Sequence, residues 1–419
     1  MPEPGSMDDD ARLLAAAQTA GLVADDTIDA SLRFVRQHLG MEVAYLSEFV
    51  GDDLLFRAVD APGLGDMVTV GGKMPLDAVY CRHILAGRLP ELIPDTGQEP
   101  LCQSIELTHA VPIKSHVSIP IMRADGTPYG MFCCLSRQTR ADLNARDLDV
   151  MRAFAAISAE QVNSRLARHS ASLAMRTRTL ELIENQSFDI VYQPIMDAPA
   201  RKPKGFESLC RFRSDPYRTP DVWIDEARQV GLQQDLEICL IKEALRALDH
   251  LPDTVYISVN ASPDTIASGA LAEVFMPWPA ERIVLEVTEH SKVADYDKLL
   301  KELDTLRFRG VRLAIDDAGA GYAGLQHIVR LHPDIIKLDI SLTTQIDTSL
   351  VRRSLGAALV SFAREIGADI VAEGIETGEE LDTLTGLGVP LAQGYFLGLP
   401  SNLETAIAWF TDTEGQASA

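Results

Sequence analysis

From residue 187 onward the chain alternates eight short apolar runs with amphipathic stretches. The runs are FDIVYQPI, GFESLCRF, VYISVNAS, IVLEVTE, RLAIDDAG, IIKLDISL, DIVAEGIE and LAQGYFLG. Between most of them lie segments such as DLEICLIKEALRALDHL and YDKLLKELDTLRF, whose apolar residues recur at helical spacing. Continuous apolar runs suit strands buried on both faces. Eight β/α units in about 230 residues is the pattern of an α/β chain closed into a (β/α)8, TIM-like barrel. That architecture predicts chemistry at the carboxyl ends of the strands.

Polar residues gather at those ends. Glu207 falls in the second run and Asn260 ends the third. Glu286 lies within the fourth and Glu289 just past it; Asp316 and Asp317 end the fifth. Lys337 and Asp339 lie in the sixth, Glu373 and Glu376 close the seventh, and Gln193 and Gln393 belong to the first and eighth. Taken alone, Asp316-Asp317 ahead of Gly319, Gly321 and Gly324 reads as a turn with an Asp capping a helix. A single Glu inside a strand likewise reads as a salt bridge. Acids or an Asn at matching depth on six strands outweigh both readings, because buried carboxylates are costly unless paired or metal-bound. Adjacent carboxylates also repel unless they share a proton or a cation. Oxygen ligands without clustered His or Cys favour Mg2+ or Mn2+ over zinc.

A formal net charge of -23 argues against a general nucleic-acid binder. It leaves small anionic ligands open, because bound metal inverts the local field. Six cysteines without CxxC or metal-ligand spacing suggest reduced, buried thiols and a cytoplasmic protein. The acidic start MPEPGSMDDDAR, expected to be disordered over residues 1–10, lacks a signal peptide's apolar core. No apolar run reaches the roughly 18 residues needed to span a bilayer.

Ahead of the barrel, residues 11–38 carry helical spacing, and VAYLSEFV and LLFRAVD form a hairpin through Gly51-Asp52-Asp53. A helix is expected over about 77–85, and HVSIPIMRADGTPYGMFCCLS reads as a second hairpin turning at Asp125-Gly126. Residues 144–186 contain neither Gly nor Pro, which predicts a long connecting helix. Val162, Leu166, Leu173, Leu180 and Ile183 keep a ragged seven-residue spacing. That seam fits a coiled-coil homodimer or a helix packed on its own domains.

Residues 11–160, and MPLDAVYCRHILAGRLPELIPDT above all, resemble a GAF domain. The resemblance implies an α+β sensor unit that binds an unknown small molecule or dimerises. Cys81 and His83 are similar to a bilin attachment pair, but Arg82 separates them and the usual context is absent, so Cys81 reads as a buried structural thiol. Residues 185–410 resemble the EAL-domain cyclic-di-GMP phosphodiesterases. The signature Glu-Ala-Leu appears as ESL within FESLCRF, beside VYQPI, VNASP, LEVTEH, IDDAGAGYAGL, IIKLDIS, VAEGIET and QGYFLG.

This resemblance implies that a barrel over 187–419 hydrolyses cyclic-di-GMP to linear pGpG with two Mg2+ or Mn2+ ions. Glu207, Asn260, Glu286 and Asp316 would hold one ion, and Asp317 with a bridging Asp316 the second. Glu373 would act as general base or orient metal-bound water, and Lys337 would hold or polarise the attacking water. Asp339 and Glu376 would support the second metal site, and Gln393 would orient water or substrate. Gln193, Leu209 and Arg211 would contact the dinucleotide, Arg211 through a phosphate unless it forms an ordinary surface salt bridge. Glu289 would pin the loop 317–325. Departures from the family pattern are Ser208 in ESL, Ala318 for a Phe, and Ala323-Gly324 for Ser-Ser. The loop changes remove an anchor and add backbone freedom. A working enzyme regulated by the GAF-like unit is the leading expectation. A non-catalytic receptor or adaptor and an unrelated metal-dependent barrel enzyme are the alternatives.

Overall fold

The computed structural model describes residues 26–65, 68–288, 293, 295–318 and 328–411. Residues 1–25, Glu289 and the glycine-rich stretch 319–327 therefore lie outside the described residues. The chain divides into two compact units, Met1–Ala171 and Ser172–Ala419.

In the first unit, a six-stranded sheet has the order β3-β2-β1-β6-β5-β4. Its strands are β1 (Val43–Val50), β2 (Asp53–Asp60), β3 (Lys73–Pro75), β4 (Leu92–Ile93), β5 (Ser115–Met122) and β6 (Pro128–Ser136). Side chains alternate across the sheet, so each strand supplies two cores. Phe132 and Cys134 face helix Asp26–His38 and the start of helix Ala145–Glu184, through Leu32, Val35, Met151 and Ala155. Met131 and Cys133 face the other way, toward Tyr45, Tyr80 and Cys81. The helix expected over 77–85 is broken: Val79 is extended between a 3-10 turn, Leu76–Ala78, and helix Tyr80–Leu85. Helix Ala145–Glu184 is continuous over forty residues. Val162 is buried in the first unit's core, Leu180 and Ile183 pack against a cluster of the second, and Leu173 is exposed.

The second unit contains a closed barrel ordered β10-β11-β12-β13-β14-β7-β8-β9. The strands are β7 (Phe188–Asp197), β8 (Lys202–Phe212), β9 (Tyr256–Asn260), β10 (Ile283–Thr288), β11 (Arg312–Ala318), β12 (Ile335–Leu338), β13 (Asp369–Ala372) and β14 (Leu391–Ala392). All eight runs enter the barrel, with one departure from eight repeated β/α units. β7 runs antiparallel to both β8 and β14. Only a short turn, with Arg201 at φ +52, separates β7 from β8, and so few residues cannot make a parallel crossover.

The barrel floor is an apolar plug of Ile195, Tyr256, Val284, Ala314, Ile335, Val371 and Leu391. β8 contributes Gly205 at this level, paired with Tyr256, whose ring a Cβ on Gly205 would approach to 2.4 Å. Gly205→Ala is expected to cost about 1–3 kcal/mol by overpacking. Its urea midpoint should fall with an unchanged slope; an unaltered midpoint would mean that the Tyr256 ring yields freely.

Candidate functional site

Moving two residues along each strand keeps the side chain on the same face. On every parallel strand the step from the plug is forward, giving Glu207, Ser258, Glu286, Asp316, Lys337, Glu373 and Gln393. On antiparallel β7 the step is backward and gives Gln193, which pairs directly with Glu207. One further step toward the rim gives Leu209, Asn260, Asp339 and Tyr395. The centre is thus a single polar layer of the barrel resting on an apolar one.

Lys337, 1% exposed, organises this layer. Its Nζ lies 2.8 Å from Glu373 Oε1, 2.9 Å from Glu286 Oε2, 2.9 Å from Asp316 Oδ1 and 3.4 Å from Glu207 Oε2. Burial pushes the ammonium's pKa down, but the four carboxylates outweigh it and hold the group charged, well above the ordinary lysine range. Burial pushes Glu286 up to about 8, against the pull of Lys337 and with repulsion from Glu207 and Asp316 adding to it. The same causes raise Glu373 well above the usual carboxylate range.

Neutral partners also hold Glu207 and Glu286. Gln393 Nε2 donates to Glu207 Oε2 at 2.6 Å and to Gln193 Oε1 at 3.0 Å, and Gln193 donates to the Gly398 carbonyl. Ser258 Oγ donates to Glu286 Oε1. Asn260 is exposed, and its Nδ2 lies 3.5 Å from Glu207 Oε1.

Asp316 and Asp317 are neighbours in a strand and would normally face opposite sides. Asp317 instead takes a left-handed φ of +60°, at a register shift between Ile315 and Ala318 against β12. Asp tolerates this conformation better than most residues, and strained backbone of this kind recurs at functional sites. As a result Asp316, Asp317 and Glu373 each bring one carboxylate oxygen within 4.8 Å of the others. Asp316 Oδ1 and Gln393 Oε1 are buried without a hydrogen-bond donor in good geometry. When ionised, Glu207, Glu286, Asp316, Asp317 and Glu373 exceed Lys337 by four negative charges, the charge of two divalent cations. The donors are all oxygen, which fits Mg2+ or Mn2+. The residues present therefore fit a two-metal centre.

Above this layer opens a pocket of about 350 Å3 lined by Gln193, Glu207, Leu209, Asp317, Asp339, Glu373, Glu376, Gln393 and Tyr395. Asp339 lies past the end of β12 rather than within it; its carboxylate caps helix Ile340–Thr343, accepting from the Ser341 N–H. Glu376 is exposed at the rim. Arg211 does not line this pocket. It borders a second cavity of about 540 Å3 with Asp189, Arg213, Glu243 and Arg246, and donates to the Cys210 carbonyl at 2.8 Å. Two steps beyond Glu207 on β8, it lies past the level of the carboxylate layer. Glu289 lies outside the described residues.

Two neighbours escaped the sequence reading. Ser258 was detectable, two residues before Asn260 on the same strand face. Tyr395 was detectable two residues after Gln393; it is 67% exposed and presents an aromatic face at the pocket mouth.

Comparison with known proteins follows the same division. The GAF domain model matches residues 24–162 and the EAL domain model residues 176–400. Among curated proteins, the probable cyclic di-GMP phosphodiesterase PdeD of Escherichia coli is 27% identical over 55% of this chain and 45% of its own length. Its relative PdeN is 30% identical over 54% of this chain and 46% of its own length. The chain thus spans about half the length of the curated relatives it matches. Among solved structures, the PaMucR phosphodiesterase in complex with c-di-GMP is 28% identical, covering 56% of this chain and 99% of that one, with a TM-score of 0.51. With more than half its residues matched by that model, and with the carboxylate layer of its barrel, this chain belongs to the EAL-domain family.

Proposed function

We propose that the barrel hydrolyses one phosphodiester bond of cyclic-di-GMP, giving linear pGpG, with two Mg2+ or Mn2+ ions held over the carboxylate layer. The observation that carries this reading is the convergence of Asp316, Asp317 and Glu373 beside Glu207 and Glu286 on four strand ends. When bound, the ions supply an activated water and neutralise charge developing on the leaving oxygen. Glu207, Asn260, Glu286 and Asp316 would hold one ion, and Asp316 with Asp317 would hold the second. Asp339 and Glu376, at the rim, would support the second ion.

The chain's own groups do the rest. Glu373, held by burial in a high-pKa state, is placed to take the water's proton. Lys337 Nζ, 2.8 Å from Glu373, orients that carboxylate and stabilises negative charge at the attacking oxygen. Gln393 fixes the Glu207 carboxylate and is itself held by Gln193, and both side chains line the pocket. Leu209 and Tyr395 supply apolar and aromatic surface for a guanine base. Arg211, in its separate cavity, meets a phosphate only if the dinucleotide extends past Leu209. The first unit regulates this activity, and the chain works as a homodimer.

Among the described residues no helix is long and apolar enough to cross a membrane. The deciding experiment follows cyclic-di-GMP by chromatography with full-length protein and added Mn2+ or Mg2+. Metal-dependent appearance of pGpG is expected, with Glu207→Ala reducing it by about 10^3-fold or more. Untouched substrate with either metal would defeat the hydrolase reading, and tight binding without turnover would favour a receptor.

A further inference from the structure

The first unit holds a second polar cluster, far from any carboxylate layer in sequence and chemistry. Cys133 on β6 and Cys81 in helix Tyr80–Leu85 are free thiols, fully buried in one core cluster and near enough for each to shift the other's acidity. Ser118 Oγ lies 2.9 Å from Cys133 Sγ across the β5–β6 pair. Tyr45, which pairs with Cys133 across β1 and β6, is buried in the same cluster. The His116 ring, 2% exposed, stands edge-on to Tyr80 at 4.9 Å and leaves Nδ1 without a hydrogen-bond partner. An apolar core that only needed to be filled would not gather two thiols, two hydroxyls and an imidazole at one point.

Cys134, the next residue, is the internal contrast. It points to the opposite core, among Leu32, Val35 and Phe132, and burial pushes its thiol well up. Burial acts on Cys133 as well, but hydrogen bonds with Cys81, His116 and Ser118 outweigh it and bring that thiol down to about 5. Adjacent thiols on one strand thus have opposite chemistry because alternation sends them to opposite faces.

We propose that Cys81 and Cys133 form an oxidation site that reacts with hydrogen peroxide and closes to a Cys81–Cys133 disulfide. The Cys133 thiolate attacks one peroxide oxygen; an S–O bond forms, the O–O bond breaks, and the departing hydroxide takes a proton to become water. Cys81 then loses its proton and attacks the Cys133 sulfur. The S–S bond forms, the S–O bond breaks, and hydroxide leaves with that proton as the second water. Two thiols are oxidised by two electrons and one peroxide is reduced. Burial confines the reagent to small neutral molecules. Helix Tyr80–Leu85 is only six residues long, the kind of element whose local opening costs little.

The test uses full-length protein in chelator-containing buffer with hydrogen peroxide, acid quench, alkylation under denaturant and peptide mapping. The expected product is a peptide linking Cys81 to Cys133, lighter by two hydrogens than the reduced pair. Cys133 should lose its free thiol about tenfold or more faster than Cys134 or Cys102, as their thiolate fractions dictate. Cys81→Ser should trap Cys133 as a sulfenic acid that reacts with dimedone, and Ser118→Ala should slow its formation several-fold. Equal rates at Cys133, Cys134 and Cys102, or a linkage that omits either Cys81 or Cys133, would overturn the assignment. Because wild-type protein supplies the decisive map, a poorly folding variant cannot obscure the result.

Discussion

Lys337→Met is expected to destabilise the protein by about 3–5 kcal/mol in metal-free buffer, the cost of stranding buried charges whose partner is removed. The ammonium touches Glu286, Asp316 and Glu373 at 2.8–2.9 Å and Glu207 at 3.4 Å. Methionine fills similar volume, so packing contributes little to the loss. What remains is a set of carboxylates in a closed barrel with no cation among them. Divalent metal should therefore rescue this variant more than wild type. Binding to the folded state alone adds RT ln(1 + [L]/Kd), about 2.7 kcal/mol at a hundredfold excess over Kd. Urea unfolding with chelator and with a Mn2+ series measures both quantities. A variant as stable as wild type in chelator, with no larger response to Mn2+, would show that Lys337 does not balance these charges. Catalysis should stay low after rescue, because the group beside Glu373 is gone.

Asp316→Asn separates activity from stability in the opposite direction. Asp316 is the carboxylate shared between the Lys337 layer and the Asp316–Asp317–Glu373 group. An amide is nearly isosteric but carries no charge and one acceptor oxygen fewer, so it cannot bridge two cations. Turnover of cyclic-di-GMP is expected to fall by about 10^3-fold while the unfolding midpoint in chelator stays level or rises, because repulsion with Glu207 and Glu286 is relieved. The Mn2+-dependent shift in Tm should shrink in parallel. Less than tenfold loss of turnover at saturating Mn2+ would remove Asp316 from the bridging role. Asp317→Asn, which leaves the Lys337 layer intact, should weaken Mn2+ binding without the gain in metal-free stability.

Much of the barrel was legible because strand burial leaves a local record. A strand covered on both faces must be apolar throughout, so Glu286 in IVLEVTE or Lys337 in IIKLDISL stands out without any knowledge of its neighbours. The run containing Gln193 was legible too, but its direction was not. Direction depends on whether a turn or a crossover follows, and that made β7 antiparallel and placed Gln193 behind the plug residue Ile195 rather than ahead of it. Asp339 was misplaced by one step because a strand ending and a helix cap both tolerate Asp. Arg211 shares a strand and a face with Glu207, yet four residues along a strand span about 13 Å, enough to carry it into a different cavity.

The sequence by itself determined which residues are polar inside an apolar framework, their strands, and the likeness that names the family. Only the tertiary structure decided which of them meet. Lys337 became the hub of four carboxylates because closing the barrel brings strands distant in sequence to one axis. Asp316 and Asp317 came to act together because the backbone at Asp317 turns left-handed and cancels the alternation of the strand. Alternation is a local property that a sequence displays, whereas closure and a single reversed φ are set by the packing of the whole barrel.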